Sequence, residues 1–400
     1  MDGRNYGNGA SKTKNFFYKI NLIIYFMGMP NFWIENLLPK KFEKYYNIYN
    51  IINNGLIFIF ISAELAGFYT QTNLTEKQKS EQLLYGLSHP ILFTFYLVMT
   101  SHKHKAKDVM YDLVVELKKI YNDLEVEQQM ISKLKSTLTA LVSFCVMSVV
   151  FYTFDAILLV IRTGTCFNVL ILVWPDLDDR SNMAYLVRFV FYIFWWIFCS
   201  RVFAMYILVI SVLTCLSHQY KNLLSYFYGI SEIFEEGISQ EEKEKKYEEA
   251  FRVGIKLHVN TLRCTDDCRA ICRGVFSGQI IFNITLLVVL LSQLVSTERT
   301  IMNLIAAGIT ATAILVSTGF FMWNAGDVTI EASNLATAMY FSGWYNCMGS
   351  SSVRIRKMVM LSMMIAQKPV LMKGLGVIVL SYESYVTIVK SSYSAFSVIY

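Results

Sequence analysis

Long apolar runs separated by charged stretches dominate the chain. A helix that crosses a bilayer needs about 20 mostly apolar residues. Seven segments qualify: 47–69, 82–100, 137–163, 186–210, 275–297, 301–323 and 374–400. Ahead of the first lies "NFFYKINLIIYFMGMPNFW" at 15–33. It is amphipathic and broken by Pro30 and Asn31, which predicts an interfacial or re-entrant helix and not a span. Helical spacing also continues beyond the membrane. The fourth run extends as "LSHQYKNLLSYFYGISEIFEEG" to Glu236. The segment 238–270 keeps Tyr247, Phe251, Ile255, Leu257 and Leu262 in register, and 105–125 keeps Val109, Leu113, Leu117, Ile120 and Leu124. A helix from 186 to 228 would be near 60 Å, about twice the bilayer core. Such stems project into the cytosol, where they pack on each other or build a bundle that holds subunits together.

The pattern therefore predicts an all-α membrane protein with seven transmembrane helices. Residues 1–46 form an N-terminal segment with the interfacial helix, and 47–210 carry spans one to four. Residues 211–274 extend span four into linker helices, and 275–400 carry spans five to seven with a cytosolic anchor. Composition agrees. Hydrophobic residues make up 54% and charged residues 16% of 400, with mean hydropathy +0.41. A soluble domain has about 25% charged residues. The net charge of +6 matters less than its distribution. Lys and Arg number 7, 2, 7, 1, 9, 1 and 5 in the successive segments between spans, with none after the last. Cytoplasmic loops carry the positive excess, so the N-terminus is expected inside and the C-terminus outside. That orientation excludes a G-protein-coupled receptor. The polar first residues carry no secretory signal, so the N-terminus is expected to stay where it is made. The triplet at Asn73–Thr75 is a glycosylation acceptor pattern in a loop placed outside, with Asn73 as the candidate site. A second, at Asn283–Thr285, falls inside a span.

Catalytic motifs are absent. The chain has no Gly-rich phosphate loop, no HExxH and no GxSxG, so no enzyme, cofactor or nucleic-acid partner is expected. Cys264, Cys268 and Cys272 share a helix face but lack the fourth ligand of a structural zinc site, and His258 is expected to be packed or solvated. The eight cysteines are expected to stay reduced. Charged residues inside spans are functional candidates, because lipid makes them costly. These are Glu64, Asp155, Asp327, Glu331, Glu383 and Lys390. Arg162 and Arg188 lie near outer ends and can snorkel. Arg201 lies deep in span four, and an ion pair with Asp155 or with the projecting stem would account for it.

Two constellations stand out. In the last run Glu383, Thr387, Lys390, Ser394 and Ser397 share one stripe. A polar stripe on a membrane helix faces protein or water, as pore lining or as a packing surface of small residues. In the outer half, Tyr85, Ser88 and His89 start span two. Phe151, Phe154, Asp155 and Leu158 end span three, and Phe189, Tyr192, Trp195 and Trp196 begin span four. An apolar pocket with a few polar groups suits a small hydrophobic ligand. Ordinary aromatic packing with an interfacial belt is the alternative.

The last quarter of the chain resembles the insect odorant receptor family. The residues are Gly326, Ser333, Tyr340 with Trp344, Arg356 with Lys357, Gln367-Lys368-Pro369 and Ser392-Tyr393-Ser394. "MGMP" before span one and "LVWPD" at 172–176 resemble further family elements. The resemblance implies an odorant-gated, non-selective cation channel in the plasma membrane of a sensory dendrite. It implies a tetramer around a pore lined by the last helix, formed with an odorant co-receptor subunit. The co-receptor has a longer segment between spans four and five, so this chain looks like a tuning subunit. The ligand site implied is Tyr85, His89, Phe151, Phe154, Asp155, Leu158, Phe189, Tyr192, Trp195 and Trp196. Aligning the Ser392-Tyr393 pair puts the gate at Phe396 and Tyr400, with Val389 and Tyr393 on the same face. Aromatics at the gate favour mixing with a co-receptor. The related gustatory receptors share topology and pore. A transporter would show internal repeats or midplane helix breaks, which this sequence lacks.

Overall fold

The computed structural model describes residues 12–296 and 301–399. It is built almost wholly of helices. In chain order these are α1 (Lys12–Phe26), α2 (Lys40–Thr70), α3 (Glu76–Ser101), α4 (Lys103–Tyr111), α5 (Leu117–Ile120) and α6 (Leu124–Thr163). Then come α7 (Asn182–Ile230), α8 (Gln240–Ser296), α9 (Ile301–Ser333), α10 (Leu335–Tyr340), α11 (Ser352–Ala366) and α12 (Tyr382–Ile399). A two-stranded antiparallel hairpin, β1 (Lys373–Gly374) with β2 (Ile378–Val379), precedes α12. Six described helices are long and apolar enough to cross a membrane, and they lie within α2, α3, α6, α7, α8 and α9.

The stems project as their spacing predicts. At 49 residues α7 is about 74 Å long, and α8, at 57 residues, about 85 Å. Both far exceed the bilayer core of about 30 Å. Local chemistry fixes the helix ends. Thr75 and Gln78 form a reciprocal capping box at the start of α3. Asp123 accepts the Glu125 and Val126 N–H groups at the start of α6, and Ser181 caps α7.

Four sequence expectations need correction. The N-terminal helix stops at Phe26 and not at Pro30. Gly28 adopts φ +95°, the Gly28 N–H donates to Tyr25 O, and the Met29 N–H donates to Ile24 O. That is the paired 5→2 and 6→1 helix ending that glycine permits. Leu124, expected on a buried face, is exposed, because the chain turns extended at Tyr121 before Asp123 starts a new helix. The linker helix and span five are one unbroken helix, α8. Span seven begins at Tyr382, because 374–379 form the hairpin, whose turn holds Leu375 and Gly376 at positive φ. Glu383, Lys390 and the Ser/Thr run also leave α12 too polar to stand among the six clearly apolar helices.

The central helix α7 packs against α1, α2, α3, α6, α8, α9 and α10. Its inner stretch from Ala204 to Tyr220 is buried throughout. Neutral hydrogen bonds cross-link this core. Tyr206 donates to Gln279 Oε1 at 2.7 Å, and Gln279 and Asn283 both donate to Thr318 Oγ1 at 2.9 Å. Helices α3 and α8 meet at "GVFSG", where a Cβ on Gly278 would stand 2.1 Å from Phe95. Small residues four apart allow such close approach between membrane helices.

Candidate ligand site and pore helix

In the half of the bundle that the charge pattern would place outside, here the outer half, aromatic side chains from α2, α3, α6 and α7 converge on a buried acid–imidazole pair. Glu64 of α2 and His89 of α3 are 3% and 4% exposed. His89 Nδ1 lies 2.7 Å from Glu64 Oε2. The Trp195 indole N–H donates to His89 Nε2 at 3.2 Å. An indole can only donate, so Nε2 is the accepting nitrogen and Nδ1–H donates to Glu64. Both imidazole nitrogens are therefore occupied. Tyr85 stacks on the His89 ring at 5.3 Å, and Phe198 and Phe60 meet it at 5.1 and 5.5 Å. Tyr85 also meets Tyr152 and Trp195 edge-on. The Tyr152 and Tyr192 hydroxyls pair with Thr310 and Thr153 at 2.5 and 2.9 Å.

The structure thus brings Tyr85, His89, Tyr192 and Trp195 together and sends other expected residues elsewhere. Phe154 and Phe189 are 52% and 58% exposed, on the outward faces of their helices. Phe151 and Leu158 are half-buried on α6. Trp196 touches Tyr192 but also lines a separate cavity of about 360 Å³ with Phe26, Tyr49 and Ile197. Asp155 is held by Lys77 at 2.9 Å. It does not pair with Arg201. That guanidinium donates to Asn50 Oδ1 at 2.9 Å and to Asn54 Oδ1, lies over the Tyr96 ring, and fills the space beside Gly28. Phe60, Tyr152 and Phe198 belong to the cluster but escaped the sequence reading, and Glu64 was singled out there only as a charge inside a span. Glu64 carried a signal, an acid inside a span, but its partner on another helix did not.

The outer loop closes over this cluster. Gln71 Nε2 donates to Leu172 O at 2.9 Å, and the Val173 N–H donates to Ala63 O at 2.8 Å. Phe167 meets Tyr192 at 5.4 Å, beside a space of about 10 Å³, room for a single water. Arg188 does not snorkel. It is 6% exposed and donates to Asp176 O at 2.7 Å, holding the loop down. Asn73 is exposed, whereas Asn283 is fully buried and bonded to Thr318.

At the inner end, Asp327 of α9 accepts from Lys133 of α6 and, at 2.8 Å, from the Tyr382 hydroxyl at the start of α12. Lys221 and Glu331 pair at 3.4 Å. Further in, Glu244 accepts the Met348 and Gly349 N–H groups at 2.7 and 2.6 Å, and Glu248 binds Arg354 and Arg252. The Glu248 hydrogen bond raises the Arg354 pKa. Burial pulls the Lys118 ammonium below the ordinary lysine range, where it donates to Asn122 Oδ1. Cys264, Cys268, Cys272 and His258 are all buried, and no metal-holding cluster occurs among the described residues.

On α12, Tyr385, Ile388 and Ser392 face the protein's own bundle, while Glu383, Thr387, Lys390, Ser394 and Ser397 are exposed. Tyr393 is exposed and Val389 half-buried. The Phe396 side chain and Tyr400 lie outside the described residues.

The family model described as 7tm Odorant receptor matches residues 89–393. The chain belongs to that family. No curated protein sequence matches it. The fold of this odorant receptor is similar to that of the insect olfactory receptor OR5 from Machilis hrabei in complex with eugenol. The TM-score is 0.79 at 13% identity, covering 96% of this chain and 97% of that one. A second structure of the same Machilis hrabei receptor matches at TM-score 0.75 and 12% identity, with the same coverage. The protein is accordingly a multi-pass membrane protein with an odorant receptor fold. Its signature glycine, Gly326, lies where a Cβ would touch Ser381 and Tyr382 at 3.4 to 3.5 Å. These are ordinary van der Waals distances, so the space where α9 meets the start of α12 would admit a methyl group.

Proposed function

We propose that this odorant receptor is the odorant-binding, tuning subunit of a ligand-gated cation channel. It binds a small volatile hydrophobic molecule in the outer cluster and opens a tetrameric pore together with a co-receptor subunit. The observation that carries this reading is the convergence of rings from four helices on the Glu64–His89–Trp195 network, in a chain of the odorant receptor family. The Machilis hrabei receptor, whose fold this chain shares, was captured with eugenol, a small aromatic volatile. The turn between α7 and α8 is short, with a 3-10 turn at Ser231–Glu235 before Gln240, which supports a tuning subunit over a co-receptor. The exposed polar stripe of α12 fits a helix that meets neighbouring subunits and a pore, with Val389, Tyr393, Phe396 and Tyr400 toward the gate. The charge series supports an N-terminus inside and a C-terminus, with Asn73, outside. The protein would reside in the plasma membrane of a sensory neuron dendrite and needs no cofactor.

Ligand contact can bias closed against open states only by favouring one of them. The Asp327 link between α6, α9 and α12 offers a mechanical route from cluster to pore helix. Excised-patch recording without nucleotide tests the proposal, with this chain expressed alone and then with a co-receptor. Volatile-evoked cation current only in the co-expressing cells is expected. Current from the chain alone would make it a self-sufficient homomer. Silence in both cases, with surface expression confirmed, would overturn the channel reading.

A further inference from the structure

The outer cluster holds more hydrogen-bonding capacity than it uses. Glu64, His89, Trp195, Tyr152 and Tyr192 are all paired, as described above. The Tyr85 hydroxyl and the Gln82 side-chain nitrogen are buried without a partner. The two residues are 8% and 7% exposed. They sit three apart on α3, one turn from each other, on the stripe that also carries His89. A buried polar group left unmet costs about 1–3 kcal/mol, and lipid offers nothing to relieve it.

Resting on the reading of this cluster as the odorant site, we propose that it selects ligands bearing a hydrogen-bond acceptor oxygen, such as ketones, aldehydes or esters. The carbonyl oxygen accepts from the Tyr85 hydroxyl, with the Gln82 amide as the second donor. The spare capacity lies on the donor side. An amide nitrogen only donates, and a phenol donates readily. On the acceptor side, Trp195 already occupies His89 Nε2 and His89 Nδ1–H already engages the Glu64 carboxylate. A hydrocarbon of the same shape would leave both donors unmet. His89 is on this account a positioning residue, which fixes Trp195 against the ring of Tyr85.

The test uses carbonyl compounds paired with methylene isosteres of the same shape. Suitable pairs are acetophenone with α-methylstyrene and cyclohexanone with methylenecyclohexane. Two readouts run in parallel: thermal stabilisation of the purified chain, and evoked current in cells that also express a co-receptor. The ketone of a pair should act at about tenfold lower concentration than its isostere, the worth of one good hydrogen bond. Tyr85→Phe should shrink that gap to about threefold or less, the ketone losing more than its isostere. Gln82→Leu should shift it the same way by less. Equal action of ketone and isostere on the wild type would overturn the proposal. So would no stabilisation by any pair, or a Tyr85→Phe variant that weakens both members alike. Ketone-selective stabilisation without current would sustain this proposal and sink the channel reading. Current without selectivity would do the reverse.

Discussion

The outer and inner ends of α7 are similarly apolar in sequence yet packed in opposite ways. From Met183 to Ile193 the helix shows Met183, Leu186, Phe189 and Ile193 to its surroundings, while from Ala204 to Tyr220 every residue is buried. The difference lies in the neighbours. The outer end meets stacked rings and the hydrogen-bonded Glu64–His89–Trp195 chain. The inner end is wrapped by α8, α9 and α10 and tied by charged groups such as Lys221 with Glu331. The proposed ligand site lies at the less completely buried end, so shape change on ligand binding is expected there, with the inner end as its fixed reference.

Overpacking the inner half should break this division most severely. Gly278→Leu drives a side chain into Phe95 and should abolish the folded peak in fluorescence-detected gel filtration. Gly278→Ala should cost about 1–3 kcal/mol, read as a lower melting temperature of the solubilised protein. A normal melt for the leucine variant would mean that α3 and α8 are not in close contact. Glu244→Ala comes next. It strands the Met348 and Gly349 N–H groups and should cost about 1–3 kcal/mol, by the same melt. In the outer half the effects should be smaller and fall on ligand response. Glu64→Gln keeps the shape but removes a charged acceptor, weakening its grip on His89 by about 1–2 kcal/mol. Potency should shift across an odorant panel with little change in melting. Phe154→Ala and Phe189→Ala face outward and should stay within about 0.5 kcal/mol, with unchanged dose–response curves. A lost response in either would return that residue to the pocket.

Much of the fold was legible in the sequence. Run length and spacing place six spans and the projecting stems, because hydropathy reports what each residue's own helix must bury. Partner identity across helices is where the reading failed. Asp155 and Arg201 looked like a pair, but Lys77 reaches the one and Asn50 and Asn54 the other. Phe154 and Phe189 lie in apolar runs whose every face is apolar, so periodicity could not tell core from lipid. The Gly274–Gly278 spacing was readable as a close-contact motif, but nothing in the sequence said that Phe95 faces it. Of the candidate site, the aromatic content and the acid at Glu64 were visible. Their arrangement around one imidazole was not.

The seat of Arg201 beside Gly28 has a consequence for how the protein is made. The groove that receives the end of α1 is finished by a guanidinium from α7, so α1 has no completed dock until α7 has emerged. At about 5–20 residues per second, the N-terminal segment waits on the order of ten to thirty seconds. During that interval its apolar face, Phe17, Ile20 and Ile24, is available to chaperones and proteases. Nascent chains stalled before Arg201 should be clipped within residues 12–26, and chains stalled well beyond it should be protected.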